Sequence, residues 1–331
     1  MQRVAEIVPP HALGLVSRGV RLAGVLLCGC SGAPFTTQAQ AALVAASADA
    51  EIPAQTGASL TPTDGGLTPV DGSAAEGGGS GTIPSACGVL RGGDTREVCF
   101  VTPSFTMGSD LPNLGVSFAD HTPAHPVTLH SFALDAYEVS MSRFSACVQA
   151  GGCTPLGVGA QCTAGMAAAG AAGDTPALCV TWGQANAFCE WDGGRRLPTE
   201  AEWELAARGT EQRTYPWGDT FACSLAIVGG YPGGPCSTNT TPGPVNGNAS
   251  GASPEQVYNL AGNVAEWVAD WVGSYPTGPQ TDPTGPISGT SKVVRGGAFS
   301  SPLPAAISYA RMAIDPSVAG AWGFRCARDA M

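Results

Sequence analysis

The sequence predicts an α+β fold with a high content of irregular loop, stapled by disulfides. Three observations predict it. Two helices and one strand carry clear start signals, 46 glycines and 27 prolines break up much of the rest, and twelve cysteines are spread along 331 residues. Long loops among few regular elements are hard for a small core to hold, and covalent cross-links supply the missing constraint.

The strand comes first. Val127-Thr-Leu-His-Ser-Phe-Ala-Leu-Asp135 alternates apolar and other side chains, as a half-buried strand does. Ser140 then caps an amphipathic stretch from Arg143 to Gln149. In Thr181–Trp191 the residues Trp182, Ala185, Phe188 and Cys189 share one face at helical spacing. Thr199–Arg208 is a further helix: Thr199 is its N-cap, Glu202 stands three residues on to complete a capping box, and Gly209 stops it. The chain has no internal repeat, so one domain over residues 86–331 accounts for these elements.

Apolar residues make up 44 % of the chain, enough for a real core. Acids outnumber bases 26 to 15 and no basic block occurs, so a phosphate backbone finds little to bind and nucleic acid is not an expected partner. The net charge of −11 reads as ordinary solubility. No CxxC pair occurs among the cysteines, which points away from a metal cluster and toward an oxidising compartment.

The amino terminus agrees. Arg18 and Arg21 precede the apolar run Leu22–Leu27, a signal-peptide core too short to span a bilayer. Leu27-Cys-Gly-Cys30 resembles a bacterial lipobox, which implies cleavage and acylation at Cys30 and an anchor on a bacterial membrane, periplasmic or at the cell surface. Residues 1–30 are thus read as a signal peptide. Residues 31–85 contain no Lys or Arg and no aromatic after Phe35, so they form a low-complexity tether, with a reach of roughly 40 Å as a flexible coil.

From Cys87 onward ten cysteines remain, an even number. Cys147 with Cys153, and Cys223 with Cys236, bracket Gly/Pro-rich loops that would gain from closure, although spacing alone leaves the connectivity open.

Several short motifs occur in order: Phe105-Thr-Met-Gly-Ser109, Arg196-Leu-Pro-Thr-Glu-Ala-Glu-Trp-Glu204, Tyr215-Pro-Trp-Gly218, Asn259-Leu-Ala-Gly-Asn-Val-Ala-Glu-Trp267, Arg295-Gly-Gly297 and Gly323-Phe-Arg-Cys326. Together they resemble the formylglycine-generating enzyme, or sulfatase-modifying factor, family over residues 97–329. The resemblance implies a loop-rich α+β fold distantly similar to the C-type lectin fold. It also implies an oxidase that converts a sulfatase cysteine to formylglycine with copper held by two cysteines. At those two positions this chain has Ser301 and Ala306, and the neighbouring family serine and tryptophan are Ala298 and Ala265. Copper(I) takes thiolate ligands, so copper is not expected and no catalytic residue is assigned.

The family's structural calcium, by contrast, would find its ligands: the side chains of Asn259 and Glu266 and the carbonyls of Gly262 and Val264, on a turn read as leading into a helix. A second family calcium site is expected to be replaced by a Cys223–Cys236 bridge. The resemblance pairs Cys189 with Cys326, while Ala207 removes a second family disulfide.

His121, His125 and His130 read as structural rather than as zinc or iron ligands. Glu200, Glu202 and Glu204 read as helix caps and surface charges, with Glu200 also a candidate for a buried pair with Arg196 or Arg325. The function expected is a calcium-stabilised binding or structural module whose partner is a protein, peptide or small molecule. The alternative is an enzyme of the wider family, of the formylglycine-generating or non-haem-iron type.

Overall fold

The computed structural model describes residues 87–88, 90–111, 119–157, 162, 173–229 and 234–330. The segments read from the sequence as signal peptide and tether, with Cys30, lie outside the described residues. Ten strands and three helices are found among them. In chain order these are β1 (Glu97–Phe100), β2 (Ser104–Met107), β3 (His125–Thr128), β4 (Phe132–Asp135), α1 (Met141–Gln149), α2 (Trp182–Trp191), α3 (Glu200–Arg208), β5 (Ala265–Trp271), β6 (Gln280–Thr281), β7 (Lys292–Arg295), β8 (Arg311–Ile314), β9 (Trp322–Gly323) and β10 (Ala327–Asp329).

The helices begin where their hydroxyls put them. Ser140 accepts from Arg143 N–H, and both Thr181 and Thr199 complete capping boxes, with Gln184 and Glu202 reaching back to the cap backbone. Gly209 ends α3 at φ 66. Of the face read on α2, Ala185, Phe188 and Cys189 are buried and Trp182 is half-buried, donating through Nε1 to the Val268 carbonyl.

Three small sheets carry the strands, in the orders β1-β4-β10, β2-β3-β6 and β8-β7-β5-β9. β3–β6 and β5–β9 run parallel and the other pairs antiparallel. One apolar cluster joins α1 and α2 to β5 and Phe324; another packs β1–β4 against α3 around Trp203.

The single strand read over 127–135 is two strands in different sheets. The alternation continues through the break, but the backbone does not: Leu129 N–H turns aside to the Pro103 carbonyl, and His130 N–H is taken by Asp282, 152 residues further on. The motif Asn259–Trp267 likewise runs into strand β5 and not into a helix. Its last residues pair with Arg295 and Val294 on one side and with Trp322 and Gly323 on the other, so tertiary pairing overrides the local pattern.

Five disulfides close the described loops: Cys87–Cys99, Cys147–Cys153, Cys162–Cys179, Cys189–Cys326 and Cys223–Cys236. The Cys189–Cys326 bridge fastens α2 to the carboxy-terminal strand across a sequence separation of 137. No helix of the described residues is long and apolar enough to cross a membrane.

Candidate functional site

The turn Asn259–Glu266 is shaped by left-handed backbone at Asn259 (φ 57), Gly262 (φ 88) and Asn263 (φ 63). Only glycine fits at 262, because a Cβ there would lie 2.4 Å from the Ile227 carbonyl oxygen. The turn delivers Glu266 to the interior, fully buried. Its carboxylate is gripped by Arg325 through Nε (2.7 Å) and Nη2 (2.6 Å) and accepts from Trp203 Nε1 at 2.9 Å. Arg325 spends its remaining donors on the carbonyls of Asp135, Ala136 and Tyr258.

Beside this pair sits Glu138, which the sequence reading did not single out. It is fully buried and accepts from Asn263 Nδ2 (2.7 Å), Asn259 Nδ2 (3.0 Å) and Val264 N–H (3.3 Å). Burial, and after it the charge of Glu266, raises its pKa well above the usual carboxylate range. Two buried carboxylates therefore share one guanidinium.

The donor set fits a hard cation in part. Asn259 Nδ2 is committed to Glu138 and to the carbonyls of Val245 and Pro244, which leaves Oδ1 as the atom for an ion. The Gly262 and Val264 carbonyls lie on the same turn. Both oxygens of Glu266 are occupied by Arg325 and Trp203, so Glu138, held only by amide N–H donors, is the carboxylate at this turn without a cation bonded to it.

The loop after β7 carries Ser301 and Ala306, the two positions that the sequence resemblance matches to the family's copper-holding cysteines. Gly296 (φ 81) and Gly297 (φ 69) start it in left-handed backbone, and a Cβ at 296 would come 3.0 Å from the Trp203 ring. Ser301 Oγ accepts from Ala298 N–H at 2.9 Å, Ser301 N–H returns to the Ala298 carbonyl, and the Ser301 carbonyl holds Gly229 N–H. A 3-10 turn, Leu303–Ala306, follows. Ala306 is fully buried among Ala226, Val228 and Ala261, with Tyr215, Trp217, Phe221 and Leu303 packed at the margin. A hydroxyl already used in its own turn and a methyl in an apolar cluster do not fit copper(I).

Glu200 and Glu204 are interior residues and not surface charges. Glu200 pairs with Arg311 (2.7 Å) and Arg295 (3.0 Å), and Glu204 with Arg295 (2.7 Å). Arg196 instead takes Glu202, and Arg325 takes Glu266, so Glu200 makes neither of the pairs its sequence suggested. The reason is register: Arg295 and Arg311 are direct cross-strand partners on β7 and β8 and point together at α3. The three histidines are not brought together: His121 contacts the Leu111 carbonyl, His125 the Pro123 carbonyl, and His130 is gripped by Asp282.

The model for the sulfatase-modifying factor enzyme 1-like domain matches residues 92–330. The chain belongs to this family. A formylglycine-generating enzyme of Thermomonospora curvata is 38 % identical over 170 residues, covering 46 % of this chain and 55 % of that protein. The chain thus spans about half the length of that relative. An inactive Cα-formylglycine-generating enzyme 2 of Mus musculus is 42 % identical over 105 residues, or 29 % of this chain and 32 % of that one. The structure of PvdO from Pseudomonas aeruginosa shares the fold, with a TM-score of 0.58 at 25 % identity over 70 % of this chain and 94 % of that one. The sulfatase-modifying factor fold is therefore kept here around a loop that carries Ser301 and Ala306.

Proposed function

We propose that this family member is an exported binding or structural module, stabilised by calcium, that has lost formylglycine-generating oxidase activity. The observation that carries the reading is the pair Ser301 and Ala306, one tied into its own turn and the other buried among methyl groups. All ten described cysteines are in disulfides, so none is left to take over the task. A fold outlasts the chemistry once mounted on it. The ligand is a protein, peptide or small molecule, and the lipobox-like Leu27–Cys30 would hold the domain to a membrane.

Calcium would be held by Asn259 Oδ1 and the carbonyls of Gly262 and Val264, with Glu138 and Glu266 as the nearby negative charge. An ion there would favour the ionised form of Glu138, which burial and the charge of Glu266 disfavour. Two measurements test the reading. Incubation with copper(I), oxygen and a cysteine-bearing sulfatase peptide is expected to yield no formylglycine by mass spectrometry; stoichiometric turnover would refute the loss of activity. Thermal unfolding in EDTA and in millimolar calcium is expected to differ, by about 2.7 kcal/mol of stability when calcium stands at 100 times its Kd. Equal midpoints in the two would remove calcium from the account.

A further inference from the structure

A groove of about 580 Å³ opens between residues 129–132 and the start of α3, and Asp282, from the turn after β6, and Asp329, from β10, stand at its rim. Register sets its charges side by side. Phe132 on β4 is the cross-strand partner of Asp329, so the two side chains leave the same face of the sheet. Two residues earlier, His130 holds the Asp282 carboxylate through its backbone N–H at 2.7 Å and through Nδ1. Residues 129–132 thus form a wall with one carboxylate beside His130 and another beside Phe132.

One guanidinium serves three acids here. Arg196 holds Glu202 in a two-pronged pair, 2.7 Å on each arm, and gives its other N–H groups to Asp329 Oδ1 and the Leu197 carbonyl, so all five are spent. Both hydrogen bonds that the Asp329 carboxylate accepts among the described residues go to Oδ1, which leaves Oδ2 open. The side chain of Asp329 is 82 % exposed and that of Asp282 is 42 % exposed. His130 is the one other ionisable group among the described lining residues. Ala269 and Ala330 contribute methyl groups to the same lining.

We propose that this groove docks a basic peptide segment of another protein, whose lysine or arginine side chains reach Asp282 and Asp329. The proposal rests on reading the domain as a binding module, and it names the partner. A surplus of carboxylates calls for a cation, and the alkyl stem of Lys or Arg suits the methyl groups of the lining. Among the described residues no group of three His, Cys, Asp or Glu is placed to hold a metal ion, so the cation is organic. The His130 carbonyl, on the wall between the two acids, has no donor among the described residues and is an acceptor for the main-chain N–H of a peptide lying along it. The chain does not supply such a segment from its tether, since residues 31–85 contain no Lys or Arg. A second copy of the chain would bring a net charge of −11 and be repelled.

The test presents the full chain with a capped, randomised synthetic hexapeptide library and identifies the retained peptides by mass spectrometry. The expected result is enrichment of Lys and Arg, with the Kd of a recovered peptide rising about tenfold in Asp282→Asn with Asp329→Asn, since each exposed pair lost is worth about a few-fold. Asp94→Asn with Glu190→Gln removes the same charge outside the groove and should leave that Kd within about twofold. Asp329→Asn alone, at so exposed a side chain, keeps the test in force if the double variant does not fold. No basic enrichment overturns the proposal, and so does an equal loss in the two double variants, which would mean attraction to net charge alone. Displacement of the peptide by an equal concentration of free cadaverine overturns the peptide as occupant. Each of these results leaves the loss of oxidase activity standing, because formylglycine formation reads that separately.

Discussion

Replacing Arg325 by Met is expected to destabilise the domain by about 3–5 kcal/mol, because it strands a buried carboxylate without its cation. Arg325 is fully buried and grips Glu266 with two nitrogens, and Glu138 beside them draws on the same charge. Three backbone carbonyls also lose their donor. Lysine would not substitute, since a single ammonium cannot reproduce the planar fork. Urea unfolding of the single variant and of Arg325→Met with Glu266→Leu separates the causes. The double variant should recover a large part of the loss, as the charge is then gone from both sides. A loss below 1 kcal/mol in the single variant would mean that the pair does not hold the turn to the core.

The second large effect concerns Cys189–Cys326. Opening a loop of 137 residues gives the unfolded chain about 5 kcal/mol of added conformational freedom in the chain-entropy model. The bridge also lies within the aromatic packing of Phe144, Phe188 and Phe324, so Cys189→Ala with Cys326→Ala adds a void. The urea midpoint of the double variant is expected to fall by most of that amount. The same double change at Cys147 and Cys153, separated by 6 residues, should cost clearly less. Equal losses at the two bridges would contradict the loop-length argument.

How much of this was legible in the sequence depends on the range of the interaction. Ser140, Thr181 and Thr199 each act within three residues, and the three helices start where those caps stand. The break at Leu129–Ser131 is set by Pro103 and Asp282, which no local pattern contains. The same holds for Asn259–Glu266: its residues were readable, but the strand after it is fixed by partners on β7 and β9. Glu138 escaped notice because it has no motif spacing to the turn it serves, 121 residues away at Asn259. The charges of α3 were misjudged for a related reason. Three glutamates at alternate positions look solvated in one dimension, while the structure stacks Arg295 and Arg311 against Glu200 and Glu204 and closes Arg196 onto Glu202. Ser301 and Ala306 were matched to the family's cysteine positions by counting from Gly296 and Gly297; what the structure adds is what each of them touches.

The central claim is that the family fold persists here without its thiol-copper centre, and a combined inventory of thiols and metal on the purified chain tests it most directly. After reconstitution with copper(I) and desalting, no copper is expected to remain, and denatured peptide mapping should find every cysteine from Cys87 to Cys326 in a disulfide. One copper per chain together with two free thiols in that range would contradict the account and restore the oxidase.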